Sequence, residues 1–274
     1  VKFVLSDDQR KVTRYPNEEL NRNQWYAGRL DGLVWGYETV GIAKTDAEME
    51  AHLASLPNGG QSQLGSKWAA GDIMYKDLNG DGKISSGDGT LNDLGDLKVV
   101  ANTQLRFKYG LTLDASWKGF DFSAFFQGVG KRDVVVGGPY FWGANGQGMW
   151  QAAAFKDHMD YFRPEDTESV FGPNVDAYYP RVIFGGGSSE GGKNTLTQSR
   201  YVQNGAYIRL KNLQLGYTLP STITKKFAVN SLRVYVSGDN LWTGTKMRVF
   251  DPEVLGSTGD AGKAYPLARV WSVG

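Results

Sequence analysis

The chain has 274 residues, and its 30 Lys and Arg against 29 Asp and Glu leave a net charge of +1, which gives no electrostatic reason to expect a nucleic-acid partner. No run approaches the roughly 18 apolar residues of a membrane-spanning helix, and the absence of Cys removes disulfides and thiolate metal sites. One large β domain, two smaller ones or a strand-built membrane protein stay open, because barrel strands alternate lipid-facing and lumen-facing side chains and so tolerate a mean hydropathy of −0.40.

Val1-Lys2-Phe3-Val4-Leu5 opens the chain without Met, a basic n-region or an apolar h-region, so any signal peptide is expected upstream and the chain is expected to be a fragment. Thr45-Asp46-Ala47-Glu48 is a capping box that predicts one helix, broken by Pro57-Asn58-Gly59-Gly60. Within the long, irregular, Gly-rich segment 57–102, Asp77-Leu78-Asn79-Gly80-Asp81-Gly82-Lys83-Ile84-Ser85-Ser86-Gly87-Asp88 matches the EF-hand type of calcium loop at most positions. Oxygen ligands to Ca²⁺ would come from Asp77, Asn79, Asp81, the carbonyl of Lys83, and Asp88, with Ser85 direct or through water. Asp88 stands where such loops carry Glu, and no helix pair flanks the loop. The expected role is structural, and an Asx-rich turn without metal is an equal alternative.

From Leu105 to Trp117, odd positions are apolar or aromatic, and the residues between them are Arg106, Lys108, Gly110, Thr112, Asp114 and Ser116. At about 3.3 Å per residue this predicted strand spans roughly 40 Å, and tilted by about 45° it crosses about 30 Å, which is barrel-strand length. Soluble strands average only about 5–6 residues. A tight turn at Trp117-Lys118-Gly119 leads into a second strand with Phe120, Phe122, Ala124 and Phe126 in phase, and Trp117 fits an interfacial aromatic girdle.

The segment 131–200 is predicted to be another long loop. Its rings, Tyr140, Phe141 and Trp142 continuing through Trp150, Phe155, Tyr161 and Phe162, can stack on sugar faces but are expected more often to pack the loop against itself or a neighbour; Tyr140, Trp142 and Trp150 are the candidate substrate contacts. Gly185 to Gly192 reads as a flexible loop. A third strand runs from Ala206 to Leu219, with its apolar phase slipping at Lys211-Asn212 from Ile208 and Leu210 to Leu213, Leu215 and Tyr217, as a β-bulge would cause. Ser221 to Val229 is a turn with a helical twist. Leu232, Val234 and Val236 begin a fourth strand, and Tyr265 to Gly274 is the last.

Short turns on one side and long loops on the other are the asymmetry of outer-membrane barrels. The expected fold class is therefore all-β, a transmembrane antiparallel β-barrel with long extracellular loops. The catalytic inventory is thin: His52 and His158 form no H-E-x-x-H pattern, and neither a Walker loop nor a dinucleotide-binding fingerprint occurs. An enzyme is not expected.

Several segments together resemble a known family. Gly71-Asp72-Ile73-Met74-Tyr75-Lys76-Asp77, Tyr109-Gly110-Leu111, and Lys118-Gly119-Phe120-Asp121-Phe122 come first, followed by Tyr179-Pro180-Arg181. Tyr207-Ile208-Arg209-Leu210-Lys211-Asn212, Leu215-Gly216-Tyr217-Thr218-Leu219-Pro220, Ser237-Gly238-Asp239-Asn240-Leu241, Asp251-Pro252-Glu253 and Tyr265-Pro266-Leu267 follow. In this order the chain resembles the C-terminal end of the SusC/RagA-like TonB-dependent outer-membrane transporters. The resemblance implies that residues 1–274 are the C-terminal strands of a 22-stranded barrel with a plugged lumen, the plug domain itself being absent from this chain. It implies a cell outer membrane of a Gram-negative bacterium, a SusD-like lipoprotein lid, and import of oligosaccharides or oligopeptides powered through TonB, which engages the missing N-terminal plug region. The chain departs from the pattern in ending without a terminal aromatic residue. The competing expectation is a secreted β-rich carbohydrate-binding or glycan-cleaving protein with a calcium loop.

Overall fold

Alternation with period two leaves each strand one apolar and one polar face, and the arrangement of the strands follows from keeping those faces aligned. The computed structural model describes residues 1–145, 154–184, 190, 192–255, 265 and 267–274. Its strands are β1 (Lys2–Ser6), β2 (Leu33–Tyr37), β3 (Thr39–Ile42), β4 (Ile73–Tyr75), β5 (Leu97–Asn102) and β6 (Arg106–Trp117). They continue with β7 (Phe120–Lys131), β8 (Asp133–Val135), β9 (Val202–Asn204), β10 (Tyr207–Thr218), β11 (Arg233–Thr245) and β12 (Val270–Val273). The α-helices are α1 (Asp46–Ala54), α2 (Pro139–Trp142) and α3 (Ser221–Thr224).

Six strands form one antiparallel sheet in the order β1-β6-β7-β10-β11-β12. The register runs rows of like side chains across it. Phe3, Leu111, Phe126, Leu210 and Trp242 face one another in sequence across five strands, and Ala115, Phe122, Leu215, Val236 and Val273 make a second apolar row. Between them lies a polar row: Asp114, Ser123, Gln214, Ser237 and Ser272. One face is thus apolar throughout, and it is uncovered: Phe3, Trp117, Phe122, Leu215, Trp242 and Trp271 are all exposed, Trp117 at 68%.

The β6–β7 hairpin closes in two residues, Lys118 (φ 48°) and Gly119 (φ 88°). Both lie in the left-handed region, as the twist of a two-residue hairpin demands. A side chain on Gly119 would meet the Thr218 carbonyl at 2.8 Å, so this turn packs directly on the end of β10. The expected bulge is present, since the register of β10 shifts between Leu210 and Asn212 against both neighbours. It returns Leu213 and Leu215 to the apolar face. Asn240 (φ 53°) absorbs the matching irregularity on β11.

Turns 118–119 and 219–232 lie at one end of the sheet. Segments 7–105, 132–206 and 246–269 leave from the other end, and their described parts share one core. Tyr37, Ile73 and Tyr75 come from the first, Phe141, Tyr179 and Tyr201 from the second, and Leu255 from the third. This corrects the expectation that 57–102 and 131–200 are irregular throughout: β2 pairs with β5, β3 with β4 and β8 with β9, and these short ladders lie within the loop body. Their strands are too brief to carry a readable period. The sequence reading also missed β1, and the last strand is confined to Val270–Val273 rather than starting at Tyr265. Helix α1 is capped as expected by Thr45, whose hydroxyl accepts from the Glu48 amide at 3.1 Å. The Glu48 carboxylate reaches the Lys44 amide instead of the cap's own.

Candidate functional site

The polar face of the sheet is the first candidate. Charged residues on it are paired across strands: Arg233 on β11 forks onto Asp121 on β7, reaching two β-strands over, and Asn212 donates to Asp239 at 2.9 Å. At the end of β10, Arg209 is almost wholly buried and contacts Asp251 at 2.6 Å and Glu253 at 3.0 Å, while Lys211 holds Glu253 at 2.9 Å. Arg132 donates to the carbonyls of Pro252 and Leu255. These bonds fold segment 246–255 inward over the polar face. Under it opens a cavity of about 970 Å³, whose walls include Lys2, Ser6, Lys108, Thr112, Gln127 and Glu253. A cavity of that size, lined by donors, acceptors and both signs of charge, suits a polar, extended ligand.

The loop body is organised around a second charged cluster. Asp72 is fully buried and accepts from Arg181 through both carboxylate oxygens (2.7 and 2.8 Å), from the Asn194 amide (2.8 Å) and from the Ala69 backbone N–H (3.0 Å). Lys193, also fully buried, stands 2.8 Å from Asp72, donates to the Ser66 and Lys67 carbonyls, and lies over the Trp68 ring at 4.6 Å. Burial pushes the Lys193 ammonium below its usual range. Gly71 (φ 85°) precedes the hub because a side chain there would come within 2.4 Å of the Phe162 ring and 2.7 Å of the Arg181 side chain. Tyr75 extends the network, its hydroxyl donating to the Lys193 carbonyl at 2.6 Å and accepting from Gln198 at 3.3 Å.

The predicted calcium loop folds as a chain of Asx turns. Asp77 accepts from the Gly80 and Gly82 amides (2.6 and 2.9 Å), Asn79 from Asp81, and Asp81 from Lys83. Asp88 accepts from the Thr90 amide at 2.7 Å. Asp96, unnoticed in sequence, is the residue that closes the loop: fully buried, it accepts from the Leu78 and Ser85 amides at 2.7 Å each, and burial raises its carboxyl. Among the described residues no group of three or more His, Asp or Glu side chains is placed to hold a metal ion.

Of the rings expected to meet substrate, Trp142 is 6% exposed and stands edge-on to Phe141 and Tyr201 at 4.8 and 4.7 Å. Tyr140 is half-buried and stacks on Phe155 at 5.8 Å. Trp150 lies outside the described residues. His158 serves the same aromatic cluster, accepting from the Phe155 amide and lying 3.1 Å from the Tyr140 and Phe141 carbonyls. Lys193, Gln198 and Asp96 are the residues that sequence reasoning missed. Lys193 sits in a polar, Gly-rich stretch with nothing to mark it as buried.

No family model matches the chain. It is 30% identical over 226 residues to TonB-dependent receptor P3 of Formosa agariphila, covering 82% of this chain and 19% of that protein. It is also 30% identical over 221 residues to TonB-dependent receptor P26 of the same organism, covering 80% and 19%. The chain thus spans about a fifth of the length of the curated relatives it matches. Among solved structures it resembles the RagAB peptide transporter with a TM-score of 0.58 and 23% identity, covering 91% of this chain and 23% of that one. The open-open state of the RagAB peptide importer gives 0.58 at 21% identity, covering 96% and 24%. The structural likeness is one of fold. All four are receptors or transporters by name.

Proposed function

This chain is related, over four fifths of its length, to TonB-dependent receptors of the SusC/RagA-like kind, and from that premise we propose that it is the C-terminal part of a plugged barrel importing oligosaccharides or oligopeptides across a Gram-negative outer membrane. The observation that carries the reading is the six-stranded sheet, apolar and uncovered on one face and ion-paired on the other. Such a face has no stable place in water and a natural one in hydrocarbon. Both edge strands, β1 and β12, have one unpaired side among the described residues. In lipid every backbone polar group must find a partner, so the sheet continues into further strands and closes, about 22 in all for a transporter of this kind.

The end carrying turns 118–119 and 219–232 is then periplasmic, and the loop body is extracellular. The cavity beneath segment 246–255 forms the upper lumen, and a SusD-like lipoprotein covers the loop body as a lid. The plug, with the segment that engages TonB, belongs to the receptor outside this chain. Tyr140, stacked and half-open, is the ring we assign to substrate. A Ca²⁺ ion on loop 77–88 would have a structural role in the extracellular body.

The topology is tested in the full-length receptor, in cells whose lid gene is deleted. Cysteine at Val170, which is 92% exposed in the loop body, should react with an impermeant maleimide on intact cells, and cysteine at Lys118 only after the outer membrane is opened. The reverse pattern overturns the assignment. TonB-dependent uptake of labelled oligosaccharide against labelled oligopeptide then separates the two substrate classes.

A further inference from the structure

The turns at the periplasmic end hold cations that take no part in the ion pairs of the described residues. Lys118 lies with its ammonium 4.8 Å from the centroid of Trp117, on the apolar face of the sheet. On the adjoining turn, α3 passes into a single 3-10 turn, Lys225–Phe227, so that Lys225 and Lys226 are both exposed. The first turn sits against the end of β10 that leads into the second, since the Thr218 amide donates to the Gly119 carbonyl at 2.8 Å. Among the described residues no carboxylate lies within ion-pair distance of any of the three, and the nearby Asp121 is already held by Arg233. Apolar groups are interleaved with them: Trp117 is 68% exposed, Phe120 48%, Ile223 44% and Phe227 74%. Thr224, buried, pins the turn, its carbonyl accepting from the Val229 amide.

We propose that Lys118, Lys225 and Lys226, with Trp117 and Phe227, form a collar that binds the phosphate of anionic phospholipid headgroups in the periplasmic leaflet. The apolar rows of the sheet end at this level, where hydrocarbon gives way to headgroups. Aromatic rings are stable there because one end is apolar and the other wet, and a Lys stem can lie along the apolar surface while its ammonium reaches phosphate. Juxtamembrane cations gain from an anionic lipid surface in this way. The assignment rests on the membrane topology proposed above.

The test is native mass spectrometry of the full-length receptor from detergent micelles doped with phosphatidylglycerol or phosphatidylcholine. The triple variant Lys118→Gln/Lys225→Gln/Lys226→Gln should retain phosphatidylglycerol on the order of a hundredfold less well. Phosphatidylcholine retention should be unchanged, and the Lys→Arg triple variant should restore binding. Heat-modifiable migration of each sample shows that its barrel is intact. Equal phosphatidylglycerol retention by intact wild type and Gln variant overturns the collar alone, as does displacement of the lipid by millimolar inorganic phosphate. A wild type that stays monodisperse without detergent overturns the membrane reading, and the collar with it.

Discussion

The strand sheet and the loop body bury opposite things. In the loop body Tyr75, Phe141 and Ile73 are fully buried and the chain's exposed charges, such as Lys44 and Asp176, lie outside. In the sheet the large apolar residues point outward, and the ion pairs of Asp121, Arg209 and Arg233 point inward. On the membrane reading proposed above, one chain follows both rules because its two parts meet different solvents, water around the loops and hydrocarbon around the strands. Asp72 in the loop body is buried among a complete set of partners, and the charges on the sheet are likewise paired on the polar face, Asp121 by Arg233 and Arg209 by Asp251 and Glu253.

That contrast can be broken most sharply at Asp72. Asp72→Asn should leave Lys193 and Arg181 without their counter-charge, at a cost of about 3–5 kcal/mol. Limited proteolysis should then cleave the loop body readily while the strands stay protected; unchanged resistance would show that the hub is dispensable. Next comes the sheet, where Leu111 and Thr112 are neighbours on opposite faces. Leu111→Arg should cost roughly 2–4 kcal/mol in folding titrations of the full-length receptor in vesicles, and Thr112→Arg much less. Equal costs would sink the assignment of faces.

A smaller effect concerns loop 77–88. If it takes Ca²⁺ with an affinity of about 10⁻⁴–10⁻³ M, a few millimolar should stabilise the loop body by about 1 kcal/mol, and Asp77→Ala/Asp81→Ala should abolish the response. The same calcium response in both proteins, or none in either, makes it a hydrogen-bonded turn only. The smallest effect lies at the junction of the two regions. The Arg106 guanidinium beside Asp7 holds its carboxyl down to about 2, against an ordinary 3.8. A depressed carboxyl stabilises the fold above its unfolded value, so this contribution is present above about pH 4 and is lost as pH falls toward 2. Protection of the β1 amides, as hydrogen exchange relative to the intrinsic rate at each pH, should fall over that window in wild type and show no such step in Asp7→Asn.

Much of the sheet was legible because period two and strand length are local properties. Leu105 to Trp117 fixed β6, Lys118-Gly119 fixed the hairpin, and the phase slip at Lys211-Asn212 fixed a bulge that the registers reproduce. The quoted motifs marked Asp72, Arg181, Arg209, Asp251 and Asp121, but not which would meet. Only the tertiary structure joined Asp72 to Arg181 across 109 residues and Arg209 to Asp251 across 42. It alone put Trp142 in a core and made Asp96, not Asp88, the residue that closes loop 77–88. The physical reason is one of range. Alternation is written residue by residue because each side chain answers to the solvent on its own face. Burial in the loop body depends on three segments converging from opposite ends of the chain, and no local pattern records that meeting.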